Sequence, residues 1–217
     1  MRLGAIFDMD GLLLDTERLY QESWIFLAGA FGQTPAPEFP SAVSGSNGEG
    51  MLAIIRHYYP KVDAQAFMNA CIRRVDGILD ASGAPVKTGV REILTFFRDR
   101  GVKIAVASSS ARARIEANLR QTELLPFFDA VASGQEVLRG KPEPDIFLLA
   151  AERIGVPPED CFVFEDSPNG IRAASAAGCT PVMIPDMTPA TPELEALSAA
   201  VCASLLEARD RIAAGTL

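Results

Sequence analysis

The chain has 217 residues, of which 48% are hydrophobic and 22% charged, and its formal net charge is −8. This length fits one large domain, or one domain that carries a smaller one. The acidic balance argues against a nucleic-acid partner, because binding to a phosphate backbone needs a basic surface. It allows a small anionic substrate, since a local pocket can be positive on an acidic protein. No apolar run is long enough to span a membrane, so we expect no membrane partner.

Cysteine and histidine usage narrows the chemistry further. The four cysteines are far apart and form no C-x-x-C pair, which predicts buried free thiols and a reducing cytoplasm. We also expect no signal peptide, because an acidic motif interrupts the N-terminal apolar run. The chain has a single histidine, His57. A single histidine argues against histidine-based acid–base catalysis and against metal sites with several histidines.

An apolar run followed by an acidic motif opens the chain. Residues 3–7 predict a buried strand of a parallel sheet, and Asp8, Asp10 and Gly11 come directly after it. Residues i and i+2 of an extended chain point the same way, so the carboxylates of Asp8 and Asp10 can face one pocket. Two like charges this close repel unless a cation lies between them, and oxygen ligands suit Mg²⁺. The alternative for this motif alone is a solvated acidic turn.

Residues from about 16 to 85 show helical spacing and no strong strand. Helices are predicted over residues 16–31, 51–59 and 64–79, each ending near glycine or proline. The glycine-rich segment 45–50 predicts a loop or the start of a helix. We therefore expect a small all-helical unit here, a candidate cap.

Helices and strands alternate from Val86 onward. The predicted helices cover residues 89–100, 111–120, 144–154, 169–177 and about 192–213, and the predicted strands cover residues 102–107, 128–132, 161–164 and 181–184. Repeated β-α units imply a parallel sheet with helices on both faces. The predicted fold is thus α/β, a Rossmann-like parallel-sheet core of residues 1–15 and 86–217 with an inserted α-helical cap domain of residues 16–85.

Ligands of such sheets bind beyond the carboxyl ends of the strands, and four groups of residues fall there. They are Asp8 with Asp10, Ser108, Lys141, and Glu165 with Asp166. A carboxylate is a competent nucleophile toward phosphorus, and a second carboxylate can protonate the leaving alcohol and then activate water. A lysine and a metal ion can neutralise phosphoryl oxygens, and a serine hydroxyl with the following N–H groups can bind them. Each group alone fits a cap, a loop or an acidic turn, but together they predict phosphoryl transfer.

These groups and their flanking residues resemble the motifs of the haloacid dehalogenase-like (HAD) superfamily, in the subfamily with a helical cap inserted after the first motif. The resemblance covers the whole chain and rests on residues 8–17, 106–110, 140–144 and 164–170. It implies a HAD fold, with Asp8 as the nucleophile and Asp10 as the general acid and base. It also implies Ser108, Ser109 and Lys141 as the residues that bind the phosphoryl group.

The same resemblance implies a magnesium ion as cofactor. Its ligands would be the Asp8 side chain, the Asp10 carbonyl and the Asp166 side chain, with Glu165 as an outer or occasional ligand. Asp10 argues against a dehalogenase or a phosphonatase, because relatives with those activities have no acid at that position.

The overall pattern is most similar to β-phosphoglucomutase and the sugar-phosphate phosphatases around it. The mutases carry a cap histidine and a cap arginine where this chain has Tyr20 and Gly48, which favours hydrolysis. We expect a Mg²⁺-dependent phosphatase that hydrolyses a small phosphorylated metabolite, a sugar or polyol phosphate, through a phospho-aspartate intermediate. The alternatives are a β-phosphoglucomutase-like phosphomutase and a non-catalytic binding or regulatory protein with the HAD fold.

Substrate selectivity is expected from the cap. The candidate contacts are Glu17, Trp24, Gly45, Ser46 and Asn47. Each has a simpler alternative, a solvated helix position for Glu17 and a core position for Trp24. A monomer is the default expectation, and the sequence does not name the substrate.

Overall fold

The computed structural model describes residues 2–43, 46 and 48–217, with the backbone alone at residue 41. The chain divides into two compact units, one of Met1–Leu14 and Pro85–Leu217 and the other of Asp15–Ala84. The predicted boundaries lie one residue later at both junctions.

The first unit is an α/β domain built on one parallel sheet with the strand order β3-β2-β1-β4-β5-β6. Its strands are β1 (Gly4–Phe7), β2 (Lys103–Ser108), β3 (Ala130–Ser133), β4 (Cys161–Glu165), β5 (Thr180–Met183) and β6 (Ala200–Val201). Its helices are α5 (Val90–Arg98), α6 (Arg112–Gln121), α7 (Asp145–Ile154), α8 (Pro168–Ala176), α9 (Pro192–Leu197) and α10 (Leu205–Ala213). The parallel sheet and its helices confirm the predicted α/β fold.

Strand β1 is fully buried because apolar residues alone form it and strands cover both of its edges. Phe7 pairs in register with Val106 of β2 on one side and Phe164 of β4 on the other. The Phe7 ring also stacks on the Phe164 ring, with centroids 4.6 Å apart. This register brings the residues that follow β1, β2 and β4 to one edge of the sheet.

The second unit is helical, as its sequence predicts. It consists of α1 (Glu17–Ala30), α2 (Phe39–Val43), α3 (Gly48–Tyr58) and α4 (Ala64–Ser82). Aromatic rings form its core: Trp24 stacks on Phe67 at 5.5 Å between centroids and meets Phe39 edge-on at 5.5 Å. Because the Trp24 side chain is only 3% exposed, these contacts favour the core interpretation of this residue over a substrate contact.

Two predicted elements were wrong in part. The C-terminal segment is not one helix over residues 192–213, because Ala200–Val201 adds a sixth strand beside β5 and separates α9 from α10. This short apolar pair gains its hydrogen bonds only from β5, which no local pattern records. The proline-rich segment after α1 also contains the short helix α2, with Pro40 in its first turn. Among the described residues, no helix has the length and hydrophobicity needed to cross a membrane.

A charged network secures the end of β3. The Glu136 carboxylate accepts from both terminal nitrogens of Arg153 at 2.9 Å and from the Ser133 N–H at 2.9 Å. The bonds with Arg153, aided by the Ser133 amide and by Arg112, lower the pKa of Glu136 to about 2, against its ordinary 4.5. The folded state therefore prefers the ionised carboxylate.

This shift makes a part of the stability depend on pH. Because the folded pKa of Glu136 lies below the unfolded value, its contribution is complete above 4.5 and is lost as pH falls toward about 2. We expect Glu136→Gln to lower the free energy of unfolding at pH 7, with a deficit that shrinks as the solution is acidified. Urea unfolding from pH 7 downward measures this, with the exposed residue Glu22, changed to Gln, as the control. A deficit that is constant with pH would contradict the assignment.

Gly89, which precedes α5, is a second test of the packing. Its φ is +88°, and a Cβ atom there would lie 2.5 Å from the backbone nitrogen of Leu206 in α10. Gly89→Ala should therefore lower the free energy of unfolding by about 3 kcal/mol, from backbone strain and a clash with main chain. Gly101→Ala is the matched control: its φ is +68° with nothing within 4 Å, so it should cost only about 1 kcal/mol. Equal losses for the two variants would contradict the predicted clash.

Candidate active site

The candidate active site lies at the carboxyl edge of the sheet, where β1, β2 and β4 end side by side. Asp8 follows β1, Ser108 ends β2 and Glu165 ends β4. The Asp8 N–H donates to the Phe164 carbonyl at 3.1 Å, which continues the β1–β4 ladder up to the acidic residue. The parallel sheet thus places these three predicted residues at one edge, as the sequence required.

Lys141 links two of the acidic residues. Its ammonium lies 2.5 Å from Asp8 Oδ1 and 2.6 Å from Glu165 Oε1, and it also donates to the Ala107 carbonyl at 3.3 Å. All three charged side chains are less than 10% exposed. The Lys141 ammonium also lies over the Phe147 ring, 4.9 Å from the ring centroid, which adds a cation–π contact. Hence one buried cation holds the ends of β1 and β4 together.

The charges of this cluster shift two pKa values. Burial raises the pKa of Asp8 well above its usual range, and the charges of Glu165 and Asp10 raise it further against the attraction of Lys141. Burial lowers the pKa of Lys141, but the carboxylates of Asp8 and Glu165 outweigh burial and leave the pKa above its ordinary value. Lys141 is therefore a permanent cation, and the acidic groups around it are in excess.

Asp10 is oriented by two serine hydroxyls. Ser108 Oγ and Ser110 Oγ donate to Asp10 Oδ2 at 3.0 and 2.9 Å, and the Ser110 N–H donates to Ser108 Oγ at 3.1 Å. The sequence motifs predict Ser108 and Ser109 as site residues but give no sign of Ser110. In the structure Ser109 is exposed, while Ser110 reaches Asp10. The conformation of the turn after β2 decides that Ser108 and Ser110 point toward Asp10 and that Ser109 does not.

Glu165 is saturated by protein donors. Its Oε1 accepts from Lys141, while its Oε2 accepts at 3.0 Å from the Asp166 N–H, the Ser167 N–H and the Ser167 hydroxyl. The turn that leads into α8 therefore closes around this carboxylate. Gly170 makes the arrangement possible, because a Cβ atom at that position would lie 1.9 Å from Glu165 Cδ.

The turn after Asp10 is fixed by a lysine that lies outside the sequence motifs. Gly11 takes a φ of +83°, and its carbonyl accepts from Lys87 Nζ at 2.7 Å. The same ammonium lies 2.6 Å from Asp186 Oδ1. Lys87 therefore ties the β1 turn to the loop after β5. No local pattern distinguishes this lysine from a solvated one.

The donor set of the cluster fits a hard divalent cation. Four carboxylates, those of Asp8, Asp10, Glu165 and Asp166, follow β1 and β4, and Lys141 is the cation bonded to two of them. Burial raises the pKa of Asp8, the neighbouring negative charges raise it further, and a divalent ion would compensate those charges. Among the described residues, no three His, Cys, Asp or Glu side chains form a metal-holding group. A set of two carboxylates and one backbone carbonyl, as predicted from the motifs, does not require such a trio.

The predicted selectivity residues lie in the helical unit. Gly45 and Asn47 fall outside the described residues. Ser46 is half-buried, with its N–H bonded to the Val43 carbonyl, and Glu17 is half-buried in the first turn of α1. Their contact with substrate stays a prediction.

Gly170→Ala tests the role of close packing around Glu165. The added methyl must displace the carboxylate and break its bond to Lys141, so we expect the free energy of unfolding to fall by about 3 kcal/mol or more. Urea unfolding measures the loss. The control is Gly77→Ala in α4, where nothing lies within 4 Å of the added Cβ and the change should stabilise by about 0.5–1 kcal/mol. A Gly170→Ala protein as stable as the parent would refute the packing argument.

The sequence and the fold of this chain are similar to those of known proteins. The sequence profile of the haloacid dehalogenase-like hydrolases matches residues 4–178. The chain is 34% identical to the Phosphorylated carbohydrates phosphatase of Thermotoga maritima, over 81% of each chain. It is 37% identical to the Fructose-1-phosphate phosphatase YqaB of Escherichia coli, over 81% of this chain and 92% of that one. A HAD family hydrolase of Deinococcus radiodurans, crystallised with bound phosphate and sodium, superposes with a TM-score of 0.78 at 27% identity, over 99% and 96% of the two chains. These matches confirm the resemblance: the chain belongs to the haloacid dehalogenase-like hydrolase family.

Proposed function

We propose that the protein is a Mg²⁺-dependent phosphatase that hydrolyses a small sugar or polyol phosphate through a phospho-aspartate at Asp8. The observation that carries this proposal is the buried Lys141 between Asp8 and Glu165, beside an Asp10 that two hydroxyls orient. Such a cluster offers a nucleophile, a fixed cation and a second carboxyl group within one edge of a sheet. The names of the two phosphatase relatives support the same class of substrate.

In the first step the Asp8 carboxylate attacks phosphorus. The new bond joins a carboxylate oxygen to phosphorus while the bond from phosphorus to the ester oxygen breaks. Lys141 stays charged throughout, because two carboxylates raise its pKa, and so it can balance the charge of the phosphoryl oxygens. Its short bonds to Asp8 and Glu165 keep the ammonium in place before substrate arrives.

Asp10 acts as the general acid in the first step and as the general base in the second. Its carboxyl group gives a proton to the departing alkoxide, and the resulting carboxylate takes one from the water that then attacks the acyl phosphate. The products are the alcohol and inorganic phosphate, and Asp8 is regenerated. The hydroxyls of Ser108 and Ser110 fix the direction in which Asp10 presents its oxygens.

The residues that would hold Mg²⁺ are the Asp8 and Asp166 side chains and the Asp10 carbonyl. The ion would neutralise charge on the phosphoryl oxygens. Glu165 has a different task, because its oxygens are occupied by Lys141, the first two amides of the α8 turn and the Ser167 hydroxyl. It organises Lys141 and the turn that carries Asp166.

Phosphate release from a panel of sugar, polyol, nucleotide and two-carbon phosphates tests the proposal. We expect release that needs Mg²⁺, stops on chelation with EDTA and falls by about 1,000-fold or more in Asp8→Asn, since the amide cannot form the covalent intermediate. Asp63→Asn is the matched control: Asp63 is an exposed cap of α4, and asparagine caps equally well, so the rate should not change.

Other outcomes separate the alternatives. Interconversion of β-glucose 1-phosphate with a bisphosphate primer, with little free phosphate, would show the phosphomutase instead. No turnover of any compound in either assay would favour a non-catalytic binding protein.

A further inference from the structure

We propose that Ser133, at the end of β3, is a positioning residue that acts on Asp10 through Ser110. This inference rests on the proposed role of Asp10 as general acid. Neither the motifs nor the family resemblance points to Ser133, which ends a strand that carries none of the predicted site residues.

The contacts run in an unbroken line from β3 to Asp10. Ser133 is fully buried, and its hydroxyl donates to the Ser110 carbonyl at 2.7 Å. The Ser110 hydroxyl then donates to Asp10 Oδ2 at 2.9 Å. Two hydrogen bonds and one residue therefore separate Ser133 from the carboxyl group that is proposed to move the protons.

The hydrogen bonds of Ser133 and Ser110 fix which group donates and which accepts. Ser133 Oγ accepts from the Gln135 N–H at 3.2 Å, so its single proton is committed to the Ser110 carbonyl. Ser110 itself is held at its N–H by Ser108 Oγ and at its carbonyl by Ser133. With both backbone groups fixed, its hydroxyl is aimed at Asp10. Removing the Ser133 hydroxyl frees the carbonyl end of this residue.

The backbone after Ser133 also packs against the turn of residues 108–110, which is called the serine turn below. A Cβ atom at Gly134 would lie 2.9 Å from the Ser109 carbonyl oxygen and 3.0 Å from Ser109 Cα. Glycine thus lets the end of β3 approach the turn that follows β2. The register agrees, since Ser133 pairs with Ser108.

Leaving-group dependence tests the proposal. An alkoxide leaves phosphorus only with a proton from Asp10, whereas p-nitrophenolate is stable without one. In Ser133→Ala we therefore expect kcat/KM to fall by about tenfold for the best sugar or polyol phosphate of the panel and to stay within about twofold for p-nitrophenyl phosphate. Ser133→Thr, which keeps the hydroxyl, should restore the rate on the alkyl ester.

The control must disturb the same turn without touching the hydroxyl. Glu136→Gln does so, because its partners are Arg153, Arg112 and the Ser133 N–H. We expect this variant to be less stable and to keep the parent ratio of the two rates. If Ser133→Ala does not fold, Ser133→Cys replaces it. The thiol fills the same space but is only a weak hydrogen-bond donor, so the same selective loss is expected.

The outcomes are distinct. Equal losses on both esters, or a changed ratio in Glu136→Gln, would show that Ser133 only supports the fold. Unchanged rates on both esters would show that Ser110 keeps its orientation without the Ser133 hydroxyl. If the parent protein releases no phosphate from either ester in Mg²⁺, the proposed function fails and with it the basis of this inference.

Discussion

The structure of the carboxyl edge of the sheet depends on one buried triplet of charged side chains, Asp8, Lys141 and Glu165. A lysine ammonium lies between Asp8 and Glu165, at 2.5 and 2.6 Å, with almost no exposure to solvent. Burying these charges is costly unless every one is paired, and pairing them requires β1, β4 and the loop before α7 to meet at hydrogen-bond distance. Much of the local architecture serves that requirement, including the fully buried β1 and the glycine that lets α8 approach Glu165.

The charges of this triplet do not cancel, because the acidic side chains at this edge of the sheet outnumber Lys141. One lysine cannot neutralise the carboxylates of Asp8, Glu165, Asp10 and Asp166, so the pKa of Asp8 is raised by burial and by its acidic neighbours. A site of this kind favours a divalent cation and a substrate whose charge is shared between that cation and the lysine. A fixed ammonium and oriented carboxyl groups also need no rearrangement when charge develops during the reaction.

Support for the site comes from strands that carry none of the predicted residues. The end of β3 fixes the serine turn through Ser133 and Gly134, and the loop after β5 reaches the Gly11 turn through Asp186 and Lys87. Three strands therefore present the residues proposed to react, and contacts from their outer neighbours fix the turns that carry these residues.

The α/β alternation, the helical insertion and the carboxyl edge where Asp8, Ser108 and Glu165 meet could all be predicted from the amino-acid sequence. Those features follow from periodicity and from the order of strands, which are local properties. Tertiary structure alone decided that Ser110, not Ser109, reaches Asp10 and that Ala200–Val201 forms a strand. It also decided that Glu165 is saturated by Lys141 and the α8 turn. In each case a deciding hydrogen bond joins residues far apart in the sequence, as between Ser110 and Asp10 or between Lys141 and Glu165. Such a bond leaves no mark on the spacing of residues along the chain.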